Sequence, residues 1–148
     1  MTLTIRPLTS ADRAAWNILY LGYATFYKVD QTAGMRDTVF GWLMDPEHES
    51  KGLVAVGEDG KLVGLTHYRP FAAPLTASVK CFLDDLFVDP AARGTGAADA
   101  LIEGVAKVAR ENGWPVVRWI TADDNYRGRG VYDKTATRTM WITYDLKT

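Results

Sequence analysis

From position 93 to 98 the chain reads Arg-Gly-Thr-Gly-Ala-Ala, a run of small side chains behind one guanidinium. If a helix begins directly after such a run, the pair makes an anion site. The first N–H groups of a helix have no partner inside it, and the aligned peptide dipoles place about half a positive charge at that end. Gly94 and Gly96, on either side of Thr95, tolerate positive φ and let a phosphate approach the backbone, while Ala97 and Ala98 keep the first turn free of bulk. Arg93 adds a fork of donors suited to phosphate oxygens. Neither of the two best-known phosphate loops is present. There is no G-x-x-x-x-G-K-S/T, and no G-x-G-x-x-G in a first βα unit with an acidic residue about 20 positions on.

A loop of this kind needs a strand to enter it and a helix to leave it. Ala77 to Val88 supplies the strand, closed by Asp89-Pro90, and Leu101, Ile102, Val105, Val108 and Ala109 keep a helical period as far as Asn112-Gly113. Trp114 to Ile120 then reads as an apolar strand of the kind buried on both faces, so the three elements form a right-handed unit with parallel strands. Upstream, Leu3 to Pro7 suggests a short strand. Trp16, Leu19, Tyr20, Tyr23 and Tyr27 recur at helical spacing and predict a helix from about Ala11 to Phe26, with Trp16 and Leu19 read as core. Val39, Phe40, Leu43 and Met44 predict a second helix that ends before Pro46. Leu53–Val56 and Leu62–Tyr68 read as strands joined at an Asp59-Gly60 turn, with a loop expected from Pro70 to Pro74. Downstream come a short helix from about Tyr126 to Lys134 and an alternating closing strand from Thr139 to Leu146. The expected class is α/β (α+β), a central mixed sheet of about six strands flanked by about four helices.

Arg93-x-x-Gly96-x-Ala98 resembles the Q/R-x-x-G-x-G/A signature with which GNAT-superfamily N-acetyltransferases hold the pyrophosphate of acetyl-coenzyme A. Asn125 to Tyr132 resembles the N-x-x-A-x-x-L-Y segment of the same enzymes, with Gly128 for the usual alanine and Val131 for the usual leucine. The two stretches, one helix and one strand apart, cover about residues 82–134. The resemblance implies one three-layer GNAT-like domain over residues 1–148, with acetyl-coenzyme A as cosubstrate. It implies direct attack on the thioester by a primary amine of a small acceptor, polyamine or amino-acid-like, without a covalent enzyme intermediate. By the same resemblance the cosubstrate is held by Arg93, Gly94, Thr95, Gly96, Ala97, Ala98 and Asn125, and by backbone groups of Leu86, Phe87 and Val88 where the strand splays from its neighbour. The tyrosine matching Tyr132 faces the sulfur and protonates the departing thiolate, and an acidic residue near Asp85, or a water chain in its place, serves as base.

Several of these residues also have plainer roles. Asn125 is a capping residue where the last helix starts, and Tyr132 could be a core aromatic with its hydroxyl at the surface. Asp84 and Asp85 are neighbours on one strand and are expected on opposite faces, so that only one points into a cleft. After Tyr132 the chain departs from the common family ending Glu-Lys-x-Gly-Phe, which leaves the acceptor wall open. Asp30, Asp37 or Asp85 would suit a polyamine, whereas Tyr23, Tyr27 and His67 would suit an amino acid or a peptide terminus.

Composition sets the outer bounds. Seventeen basic and eighteen acidic residues in 148 give a net charge of −1, which argues against a basic nucleic-acid surface, and the short Arg127-Gly128-Arg129-Gly130 patch does not restore one. One cysteine and two histidines offer no internal disulfide and no metal-ligand cluster. No membrane span or leader is readable, so a cytoplasmic protein is expected. The final strand suits a homodimer built across a two-fold axis. The alternative to an enzyme is an acyl-coenzyme A binding module without turnover.

Overall fold

A computed structural model describes residues 2–148 and shows one five-stranded mixed sheet. Its strands lie side by side in chain order: β1 (Thr4–Pro7), β2 (Lys51–Val56), β3 (Leu62–Ala73), β4 (Ser78–Val88) and β5 (Val117–Arg118). Four helices, α1 (Arg13–Phe26), α2 (Ala33–Met44), α3 (Ala97–Glu111) and α4 (Tyr126–Thr135), complete the chain. The first three pairings are antiparallel, and β4 and β5 run parallel because α3 carries the chain back between them.

The sheet buries both faces, which makes three layers. On one side Leu101, Ile102, Val105 and Ala109 of α3 pack against Leu53, Ala55, Tyr68, Cys81 and Leu83. On the other, Trp16, Leu19 and Tyr20 of α1 and Phe40 and Leu43 of α2 pack against Leu8, Val54 and Leu65. Trp16, Leu19 and Tyr20 of the stripe read from the sequence are thus the inner face of α1. The start of that helix is anchored by Asp12, which accepts from Arg6 at 2.7 and 2.9 Å and from the Thr9 N–H at 2.8 Å. The Arg6 bonds are the main reason its carboxyl falls to about 2.

One irregularity shapes everything that follows. His67 pairs with Asp85 but Tyr68 pairs with Leu83, so Asp84 is an extra residue that β3 does not match. Strand β3 keeps its alternation, which leaves His67 and Arg69 on the same side of the sheet. Asp84 bonds Arg69 at 3.1 Å and Asp85 bonds His67 at 2.7 Å, so the two carboxylates turn to one side rather than to opposite faces.

Three expectations are corrected. Pro70 lies inside β3, opposite Cys81, and not in a loop. The last β2 partner is Lys51, opposite Tyr68, so no β2 residue faces Pro70, and its missing N–H breaks no ladder bond. Second, β5 is a two-residue, half-buried edge strand, with Ile120 64% exposed, and not a strand buried on both faces. The sixth strand also does not form. Residues 139–146 run without strand pairing, and Met140, Trp141, Ile142, Tyr144 and Leu146 are 74 to 94% exposed. Alternation gives a segment one apolar face, but a strand exists only where an edge receives it.

Candidate active site

Strands β4 and β5 pair at Cys81 with Val117 and at Phe82 with Arg118, and not beyond. From there the two strands part, and the gap opens into a cleft of about 780 Å³, within the range of a cosubstrate pocket. Leu86, Phe87 and Val88 form one wall, α4 the other, and Tyr23 and Phe26 of α1, with Tyr27 just beyond it, the rim.

The turn before α3 closes one end of this cleft. Gly94 and Gly96 have φ of 80° and 83°, the left-handed region that glycine enters without strain. Among the described residues, backbone N–H groups from Gly94 to Asp99 find no acceptor, so a row of free donors stands at the positive end of a 15-residue helix. Arg93, Gly94, Gly96, Ala97 and Ala98 line the cleft. Thr95 does not, and its hydroxyl donates at 2.6 Å to the carbonyl of Ala92, which pins the turn. Such a row of donors fits a diphosphate.

On the opposite wall, Asn125 begins α4. Its side chain accepts from the Gly128 N–H at 3.3 Å and donates to Thr121 Oγ1 at 2.9 Å. A Cβ at position 128 would stand 2.5 Å from Asn125 Nδ2, so glycine in place of the usual alanine gives the folded-back cap its room. Two turns on, Tyr132 lines the cleft with its ring 5.5 Å from Trp119, edge to face. Burial pushes its phenol up to about 12, with a smaller contribution from Tyr27.

At the other end of the aromatic rim lies Asp85. His67 Nδ1 and the Tyr20 hydroxyl both bond its Oδ2, at 2.7 and 3.0 Å, and Oδ1 carries neither of these bonds. Burial is the largest single influence and pushes the carboxyl up, but His67, chiefly through its hydrogen bond, together with the nearby Tyr20 and Tyr23 hydroxyls outweighs it and holds it below the ordinary carboxylate value. Asp84 moves the other way. Burial raises it, and the Arg69 guanidinium only partly offsets the rise. Tyr20, Tyr23 and Tyr27 form a continuous stack, with centroids 6.0 and 4.9 Å apart, that runs from Asp85 along the rim. Cys81 stands apart in the α3 core, its thiol pushed up to about 11 by burial, which makes it an inert thiol.

Residues 16–136 match the model of the Acetyltransferase (GNAT) family. The chain belongs to this family. It is 30% identical over 143 residues to the D-amino-acid N-acetyltransferase HPA3 of Saccharomyces cerevisiae, covering 96% of this chain and 89% of that protein. It is 28% identical over 132 residues to the uncharacterized N-acetyltransferase YhfO of Bacillus subtilis, covering 89% and 87%. Among solved structures it shares its fold with the ribosomal-protein-alanine N-acetyltransferase of Brucella melitensis biovar Abortus 2308, at TM-score 0.83 and 24% identity over all of both chains. It also shares the fold of AAC(6')-Iy in complex with the bisubstrate analogue CoA-S-monomethyl-acetylneamine, at TM-score 0.87 and 16% identity over 100% of this chain and 99% of that one.

In this GNAT chain the residues singled out for catalysis and cosubstrate binding line one cleft, except Thr95, which pins the turn, and Asp85, which lies behind the Tyr23 rim and bonds Tyr20. Asp30 and Asp37 do not join them, and Asp37 pairs instead with Arg13 on the surface. Sequence reasoning took Trp16 for core and left Tyr20 unassigned, and it treated His67 only as an aromatic of the acceptor pocket. All three belong to the network behind Asp85. The available signal was a tryptophan and a tyrosine one helical turn apart on a face that must meet a strand bearing a lone histidine.

Proposed function

We propose that this chain moves an acetyl group from acetyl-coenzyme A to the primary amine of a small acceptor. One observation carries this reading. Free backbone donors stand at one end of the cleft, a protonated phenol lines its wall, and an ionised carboxylate lies behind its aromatic rim, bonded to Tyr20. The cosubstrate supplies a thioester carbonyl and a thiolate leaving group. The turn from Arg93 to Ala98 holds its diphosphate, and Asn125 and the free edge of β4 from Leu86 to Val88 hold its arm and face the negative charge that develops on the carbonyl oxygen. Asp85 takes the acceptor's ammonium at Oδ1 and assists the loss of its proton. A new C–N bond forms as the C–S bond breaks, and Tyr132 gives its proton to the sulfur.

Release of free thiol from acetyl-coenzyme A, followed over a panel of amino acids and polyamines, tests the reading. Binding without turnover on any amine would make the chain an acyl-coenzyme A binding module instead. Asp85→Asn is expected to lower the rate by roughly 10²-fold at neutral pH. Because the Asp85 carboxyl lies below its ordinary value, the wild-type charge is present throughout the neutral range and is lost only in acid. The deficit should shrink as pH approaches the ~10.4 of an alkyl amine, where the acceptor arrives neutral. A deficit equal at all pH values in the rate profile would assign Asp85 to positioning alone.

The proposal extends to assembly. An unpaired alternating segment and an unpaired β5 edge in one chain are complementary, and in a homodimer residues 139–146 of each copy complete the other's sheet. Light scattering should report a dimer for residues 1–148 and a monomer once residues 137–148 are removed. A monomeric full chain would overturn the pairing.

A further inference from the structure

We propose that Trp16 is a positioning residue that locks the tautomer of His67, so that Asp85 faces the acceptor with its full negative charge. This rests on the reading that Asp85 receives the acceptor's ammonium. Trp16 Nε1 meets His67 Nε2 at 2.9 Å, and both side chains are buried, at 1% and 4% exposure. An indole N–H is a donor and nothing else, so Nε2 must present its lone pair. The proton of a neutral imidazole therefore sits on Nδ1, from which it is donated to Asp85 Oδ2 at 2.7 Å. A second proton on His67 would have to sit on Nε2, where it would point at another N–H in a site closed to water. Two donors facing each other there leave a buried hydrogen-bonding group unpaired, which is costly.

The charges around the imidazole give the lock its use. Asp85 and, more distantly, Asp84 face it from β4, and Tyr20 lies against it edge to face at 4.8 Å from α1. Two carboxylates beside a histidine would ordinarily favour the imidazolium, which would pair with Asp85 and cancel the charge that an incoming cation needs. The indole prevents this. His67 thus holds the carboxylate in place as a neutral donor, and the charge stays available on the cleft side. Trp16 contributes its core packing as well, with rings 5.2 Å from Tyr20 and 5.1 Å from Phe40, and its single polar atom is spent on His67.

Nitrogen NMR of the wild-type protein tests the lock without any substitution. His67 is expected to show a protonated Nδ1 and an unprotonated Nε2. The opposite tautomer, or a proton on both nitrogens, would overturn the inference. Trp16→Phe keeps an aromatic ring and removes the donor. In that variant Nε2 is free to carry a proton, so the nitrogen spectrum should no longer show a single tautomer, and kcat/KM for the amine should fall. Adding His67→Gln, which can donate to Asp85 but cannot carry charge, should recover the loss. A Trp16→Phe deficit with the His67 tautomer unchanged would reduce Trp16 to packing and overturn the proposal. Because the NMR readout does not depend on turnover, a chain that acetylates no amine would fail the functional reading while the lock is still decided.

Discussion

Tyr132→Phe is expected to lower kcat by roughly 10²-fold or more while coenzyme A affinity stays within a fewfold of wild type. The phenylalanine ring keeps the edge contact with Trp119 and removes one proton from the cleft wall. At about 12 the phenol holds that proton at every practical pH, so its donor form is never in short supply. A free thiol near ~8.5 would make the transfer uphill, but burial moves both groups the same way. The check is single-turnover kinetics beside equilibrium binding. A Phe variant that runs at wild-type speed would mean that water protonates the sulfur.

Gly96→Asp is expected to abolish coenzyme A binding, with a loss of at least about 10²-fold, and to leave the fold intact. Position 96 is the N-cap of α3, and a Cβ placed there meets no heavy atom within 4 Å. Aspartate enters the left-handed region more readily than most residues, at a cost of about 1 kcal/mol, which is small against the stability of a domain. Its carboxylate would occupy the row of N–H groups from Gly94 to Asp99 and repel the phosphates. Calorimetric titration with coenzyme A reads the loss, and thermal unfolding confirms the fold. Unchanged affinity would remove the turn from the binding site.

The central unit was legible because its chemistry is local. Strand, turn and helix between Phe82 and Glu111 are each specified by residues within a few positions, and so is the Asn125 cap. What escaped the sequence depends on distant partners. Pro70 signals a loop only if its nitrogen needs a donor's place, and where β2 stops cannot be seen from β3. The alternation of residues 139–146 states a capacity for pairing without naming an edge. His67 and Asp85 stand 18 residues apart, and their meeting depends on an unmatched residue that no periodicity announces. Trp16 shows why a core assignment can be right and incomplete, since its ring packs while its one N–H sets the state of a neighbour.

That unmatched residue makes strand length itself a determinant of charge. Asp84, Asp85 and Arg69 lie on one side of the sheet, and two carboxylates against one guanidinium leave a single negative charge there. A one-residue deletion at position 84 would close the ladder into regular register, with Asp85 still opposite His67 and Leu83 still opposite Tyr68. It would also strand Arg69 without its partner and bring the same surface to neutrality. An insertion or deletion here, invisible to any comparison of side chains position by position, would therefore retune which acceptors the cleft attracts without touching Asp85, Tyr132 or the phosphate turn.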